Sequence, residues 1–226
     1  MLQEIADFFL PRTCHLCGCH LRDSEATFCV RCVESLPRSR YHLMPMNPMD
    51  RRFAGIVPFE RATGYFIYSR NSALASAIHD MKYRKFPSVG RRLGEIVGEE
   101  LLMVGFFEGV DCILGVPMHW WKKAKRGYNQ VDYIAGGISE STHLPVIDAI
   151  EAIKSHKTQT SMTLEQRQAN LSGSFRIKNP DALSGKGIVL VDDVCTTGAT
   201  LRTLAELISR EVPDSRLYLL SLCVTV

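Results

Sequence analysis

The sequence predicts an α/β protein: a parallel sheet flanked by helices, preceded by a small ribbon stapled by metal. Three observations carry this. From about residue 55, short apolar segments alternate with segments of helical periodicity. Two segments, residues 110–116 apart from Asp111 and residues 188–191, are apolar without alternation, as strands covered on both faces are. Upstream, five of the eight cysteines crowd between Cys14 and Cys32 as part of two Cys-x-x-Cys pairs and their surroundings.

The chain of 226 residues amounts to about one and a half average domains. The split predicted is residues 1–50 for the ribbon and a linker, and 51–226 for the sheet domain. The linker is read from residues 37–52, with Pro37, Pro45 and Pro48 and few periodic apolar positions. At 46% hydrophobic and 23% charged, the chain is neither disordered nor of low complexity. A net charge of +3 does not support the strongly basic field of a dedicated DNA-binding domain. No run of eighteen apolar residues exists to cross a membrane, and the first residues lack a basic secretory leader. A reducing cytoplasm is therefore expected, where clustered cysteines serve metal more readily than disulfides.

In the ribbon, Cys14 and Cys17 face Cys29 and Cys32 across eleven residues. Gly18 follows the first pair, where the turn requires a positive φ. Four thiolates suit a closed tetrahedral Zn2+ site, which leaves no position open for substrate, so its role is structural. Cys19 and His20 remain alternative ligands, ranked below the four.

In the sheet domain, residues 55–59 and 63–68 read as short strands, and 145–153 and 217–223 as later ones. Leu74, Ala77, Ile78 and Met81 sit at helical spacing; so do Leu93, Ile96, Val97 and Leu101. The same holds for Val131, Ile134, Ala135 and Ile138, and for Leu201, Leu204, Ala205 and Ile208. Ligands of such sheets bind at the carboxyl ends of the strands.

One strand end concentrates chemistry. Residues 188–191 deliver Asp192 and Asp193, then Val194, Cys195, Thr196, Thr197, Gly198, Ala199 and Thr200 open a helix. Hydroxyls and backbone N–H groups at a helix start form an anion site, and Gly198 lets the backbone approach a phosphate. Acids beside such a loop make sense if they grip neutral hydroxyls, and a sugar phosphate offers both. A second strand end carries Pro117, Met118 and His119, then Lys122, Lys123, Lys125, Arg126 and Gly127. That basic stretch suits a pyrophosphate. A third stretch, residues 154–175, is polar and reads as a lid in which Lys157 and Arg167 would close over a leaving group.

The Asp192–Thr200 stretch resembles the 13-residue phosphoribosyl pyrophosphate (PRPP) motif of type I phosphoribosyltransferases. That resemblance implies that the two acids bind the ribose hydroxyls and that the following loop binds the 5′-phosphate. With the paired Cys-x-x-Cys, Lys82-Tyr83, Val-Pro-x-His, Arg-Gly-Tyr-Asn-Gln and Arg-x-x-Asn stretches, the whole chain resembles the ComF family of competence-associated, phosphoribosyltransferase-like proteins. The resemblance implies PRPP with Mg2+ as ligands, a phosphoribosyl transfer to an acceptor, and a link to DNA uptake in natural transformation. It leaves two other roles open: a PRPP sensor without turnover, and a single-stranded DNA adaptor. An adaptor would use the ribbon with Lys82, Arg84, Lys85, Arg91 and Arg92. Tyr128 is a candidate for stacking a base.

Overall fold

A computed structural model describes residues 12–153 and 173–225. Its centre is a four-stranded, wholly parallel sheet of β1 (Arg61–Ile67), β2 (Cys112–Gly115), β5 (Gly187–Cys195) and β6 (Arg216–Val224), in the order β1-β6-β5-β2. The short strands β3 (Ile150–Ala152) and β4 (Phe175–Ile177) form a separate antiparallel pair. β5 and β6 lie in the middle and are buried along nearly their whole length, in keeping with the continuous apolar runs 188–191 and 217–220.

Helices cover both faces. On one side α3 (Ala73–Tyr83), α4 (Pro87–Met103) and α6 (Gln130–Thr142) bury Leu74, Ile78, Leu93, Val97, Ile134 and Ile138 against Val189, Val191 and Leu220. On the other, α2 (Pro48–Phe53) and α7 (Ala199–Glu211) bury Met49, Phe53, Leu201 and Leu204 against Ile188, Leu190 and Leu219. α4 and α6 meet along a seam of glycines. A Cβ on Gly94 would lie 2.2 Å from the Ile134 carbonyl oxygen, and one on Gly137 would lie 2.0 Å from that of Arg91.

Several local expectations change. Residues 55–59 form no strand: Val57 N–H closes a turn on Phe53 at 3.2 Å, and Pro58 cannot join a ladder. The basic stretch after β2 is a short helix, α5 (Trp120–Arg126), ended by Gly127. Residues 145–153 divide, with Val146 bridging to Ile113 on the sheet edge and β3 turning away to pair with β4. β5 runs four residues beyond Val191, because β6 still offers partners to Asp192, Val194 and Cys195. The polar stretch ends earlier than expected, since Phe175 is buried at the start of β4.

The stretch read as a linker is fastened to the sheet. Ser39 N–H donates to Tyr65 at 2.8 Å, and Ile67 N–H donates to Pro37 at 2.7 Å. Asn47 and Asp50 make a capping box for α2, and the Asn47 amide donates to the Ala62 carbonyl at 2.9 Å. A boundary at residue 50 would cut α2, whose Met49 and Phe53 are core residues. Arg38 adds a rivet: it grips Glu100 of α4 at 2.6 and 2.8 Å, and donates to the Val33 carbonyl of the ribbon helix α1 (Val30–Glu34) at 3.0 Å.

Candidate functional site

The ribbon brings Cys14, Cys17, Cys29 and Cys32 together, with all four sulfurs within 4.8 Å of one another. Cys17 and Cys29 are 3.8 Å apart. A tetrahedron with Zn–S near ~2.3 Å has edges of about 3.8 Å, so the donor set fits such an ion. The turn after Cys17 carries Gly18 at φ +73°, and Gly18 N–H donates to the Cys14 carbonyl at 2.8 Å. The Cys29 N–H donates to the Cys14 sulfur at 3.3 Å. N–H donors from Cys19 and Cys32 hold Cys17 and Cys29 below the usual thiol range. Cys19 lies outside this four-sulfur group; hydrogen bonding to Cys17 and Cys29 pushes its thiol up to about 12. His20 is exposed and its backbone bridges to Thr13.

The second site lies at the carboxyl ends of the adjacent strands β5 and β2. A cleft of 240 Å³ is lined by Asp192 and Asp193 from β5, Thr200 from α7, and Pro117, Met118, His119, Lys122 and Arg126 beyond β2. These sequence-predicted residues thus share one cavity. Asn129 joins them because its amide donates to the Val116 carbonyl at 3.1 Å, fixing the turn into α6. The floor is built by α3 and α6: Lys82 Nζ lies 2.7 Å from Asp193 Oδ2, and Gln130 Nε2 donates to the same oxygen at 2.6 Å.

The two acids differ electrostatically. Burial raises both, but the Lys82 ammonium and the Lys82 and Gln130 hydrogen bonds outweigh it at Asp193, which is held below the usual carboxylate range. Lys82 is correspondingly raised, its own burial being outweighed by the charge of Asp193. Asp192 has the Asp193 N–H at 2.8 Å, yet burial and the neighbouring Asp193 charge push it up to about 7. On the opposite wall, burial and then Arg126 lower the Lys122 ammonium.

The remaining predicted residues flank the cleft. Val194 is half-buried toward the α3 side, and Cys195 is buried toward α2. There Arg52 donates to the Cys195 sulfur at 3.4 Å, to the Thr196 carbonyl at 2.6 Å and to the Thr225 carbonyl at 3.1 Å. Thr197 Oγ1 accepts from Ala199 N–H at 3.4 Å. Gly198 starts α7 at φ +80°, a conformation glycine adopts without strain. Lys157 and Arg167 lie outside the described residues. Tyr128 serves packing: its hydroxyl donates to the Met81 carbonyl and its ring meets Tyr133 edge-on.

Sequence reasoning did not assign Lys82 and Gln130 to the cleft. Lys82 carried a signal, since it stands four residues after Ile78 and eight after Leu74, on the buried stripe of α3. A lysine in that register marks a buried cation in need of an acid.

A model described as the phosphoribosyl transferase domain matches residues 132–221. The "DNA utilization protein YhgH" of Escherichia coli K12 is 28% identical over 201 residues, covering 87% of this chain and 84% of that one. The "Competence protein F" of Haemophilus influenzae is 29% identical over 102 residues, 44% of each chain. Among solved structures, an adenine phosphoribosyltransferase from Saccharomyces cerevisiae superposes with a TM-score of 0.37 at 14% identity, covering 61% of this chain and 71% of that one. The cysteine cluster, the parallel sheet and the domain match accord with one another: over most of its length the chain is similar to the ComF/YhgH-like proteins, and its sheet is of the phosphoribosyltransferase type.

Proposed function

We propose that this protein binds PRPP and transfers its phosphoribosyl group to a nitrogen acceptor, in the service of DNA uptake or use. One observation carries the reading. Two acids at the tip of β5 and a basic wall beyond β2 share one cleft, and a glycine-started helix opens beside them. The ribose hydroxyls would meet Asp192 and Asp193, the 5′-phosphate the loop from Thr196 to Thr200, and the pyrophosphate His119, Lys122 and Arg126. Mg2+ would enter with the phosphates, and Asp192 would be the acid to help hold it, since Asp193 Oδ2 already takes two donors. When bound, it would neutralise charge on the departing pyrophosphate.

In the transfer, the C1–O bond to pyrophosphate breaks with its electron pair leaving on oxygen. The acceptor nitrogen forms the C1–N bond and releases its proton to water. Arg126 is held for its part by Gln130 Oε1 at 3.1 Å and Tyr83 OH at 3.3 Å, so little ordering remains when the anion arrives. A neighbouring cavity of 470 Å³ shares Pro117, Met118 and Asn129 with the cleft and provides space for an acceptor. The four-cysteine cluster would hold a structural Zn2+.

An adaptor that grips DNA through α3 and α4 is less well supported. Lys82 is engaged by Asp193, Arg84 by Asp80 at 3.4 Å, and Arg92 by Glu95 at 2.8 Å, while Arg91 pairs with Glu140. Titration calorimetry with magnesium-PRPP, followed by pyrophosphate release over a panel of bases and amines, tests the transferase. Binding with release supports it; tight binding without release makes the protein a sensor; absence of binding refutes both.

A further inference from the structure

Resting on the PRPP reading, we infer that Lys82 is a further ligand-binding residue, bridging the ribose acids and the pyrophosphate. Its side chain comes from α3, far in sequence from either loop, and is only 20% exposed. It nevertheless lines the cleft together with Asp192, Asp193, Lys122 and Arg126. It stands between the two halves of the site. On one side it meets Asp193 at 2.7 Å; on the other, the Arg126 charge is near enough to disfavour its proton.

The hydrogen-bond arithmetic favours a second partner. An ammonium has three protons, and Asp193 Oδ2 accepts from Gln130 as well as from Lys82. Asp193 therefore keeps a donor when the lysine turns part of its charge elsewhere. Among the described residues, neither Lys122 nor Arg126 forms a salt bridge with a carboxylate. Three cations thus converge on a cleft whose acids number two, both on the ribose side. That imbalance suits a multiply charged anion, and Lys82 is the cation closest to the acids. Arg126 stacks on Tyr83, the residue after Lys82, with its guanidinium carbon 5.0 Å from the ring centre, so the two cations share one mount.

The alternative is that Lys82 acts only through Asp193, as its counter-ion. Three probes separate these roles: magnesium-PRPP, ribose 5-phosphate, and magnesium-pyrophosphate, each titrated calorimetrically into the full chain. Two variants are used, Lys82→Met and Lys82→Gln; the glutamine keeps a donor near Asp193 if the methionine fails to fold. Loss of one charge-assisted contact should weaken PRPP and pyrophosphate by about tenfold to a hundredfold. Ribose 5-phosphate affinity should stay within about threefold, because the contact it lacks is the one removed. Parallel weakening of all three ligands, or no change in any, overturns the inference while leaving the PRPP reading standing. Wild-type protein that binds none of them overturns both.

Discussion

Asp192→Asn is expected to destroy ligand binding and to stabilise the fold, and the gain should depend on pH. The wild-type acid is pushed from 3.8 up to about 7 by burial and by the Asp193 charge. An acid raised in the folded state binds protons that the unfolded chain has released, so its penalty is absent below about pH 4. The penalty grows between about pH 4 and 7 and is constant above that. At 1.36 kcal/mol per pH unit the ceiling is about 4 kcal/mol. The side chain is only half-buried, so screening by water reduces the expectation to about 2 kcal/mol. Asparagine retains an oxygen for the Asp193 N–H, so the local hydrogen bond survives. Urea unfolding of both proteins at pH 4, 6 and 8 reads this directly. Coincident curves at pH 4 that diverge by pH 8, with the variant more stable, are expected. Equal displacement at every pH, or a less stable variant at pH 8, would refute the electrostatic reasoning.

The neighbouring substitution should do the opposite. Asp193→Asn leaves Lys82 buried without its counter-ion, at a cost of about 3–5 kcal/mol, visible as a lower urea midpoint at pH 8. Since Asp193 is held low, its contribution is present above about pH 4 and fades as pH falls, so the two curves should converge in acid. Arg38→Met should cost about 2–4 kcal/mol, because Glu100 is 27% exposed and would lose its bidentate partner. Arg38 is also the main reason Glu100 is held low, so the loss should shrink on acidification. Removing metal with a chelator should lower the melting temperature of the entire protein. Cys14, Phe28, Cys29 and Leu36 pack in the same apolar cluster as α3 and α4, and a sheet that melts unchanged would count against this coupling.

Sequence patterning disclosed the parts whose periodicity is driven by a single environment. β5 and β6 are apolar because both their faces are covered, and α3, α4, α6 and α7 show the spacing of one buried stripe. The acid pair and its loop were legible because their chemistry is contiguous in the chain. Residues 37–52 were misleading for a physical reason. Prolines and sparse periodicity suggest a tether, yet the backbone of residues 37–39 pairs with β1 and a buried asparagine starts α2. Such pairing uses main-chain groups, which leave no trace in side-chain periodicity. The Lys82–Asp193–Gln130 triad was hidden because its members come from three elements 48 and 63 residues apart in sequence.

The glycine seam between α4 and α6 bears on how this protein tolerates change. With Gly94, Gly98 and Gly137 admitting backbone against backbone, α6 cannot accept an extra methyl there without shifting bodily. Its thirteen residues make a rod of about 20 Å, and the first of them is Gln130. A substitution in the seam, remote from any ligand, would therefore be transmitted along the rod and retune the Asp193 oxygen. A substitution at one of these glycines should therefore disturb affinity as surely as one in the cleft, although the glycines touch no ligand.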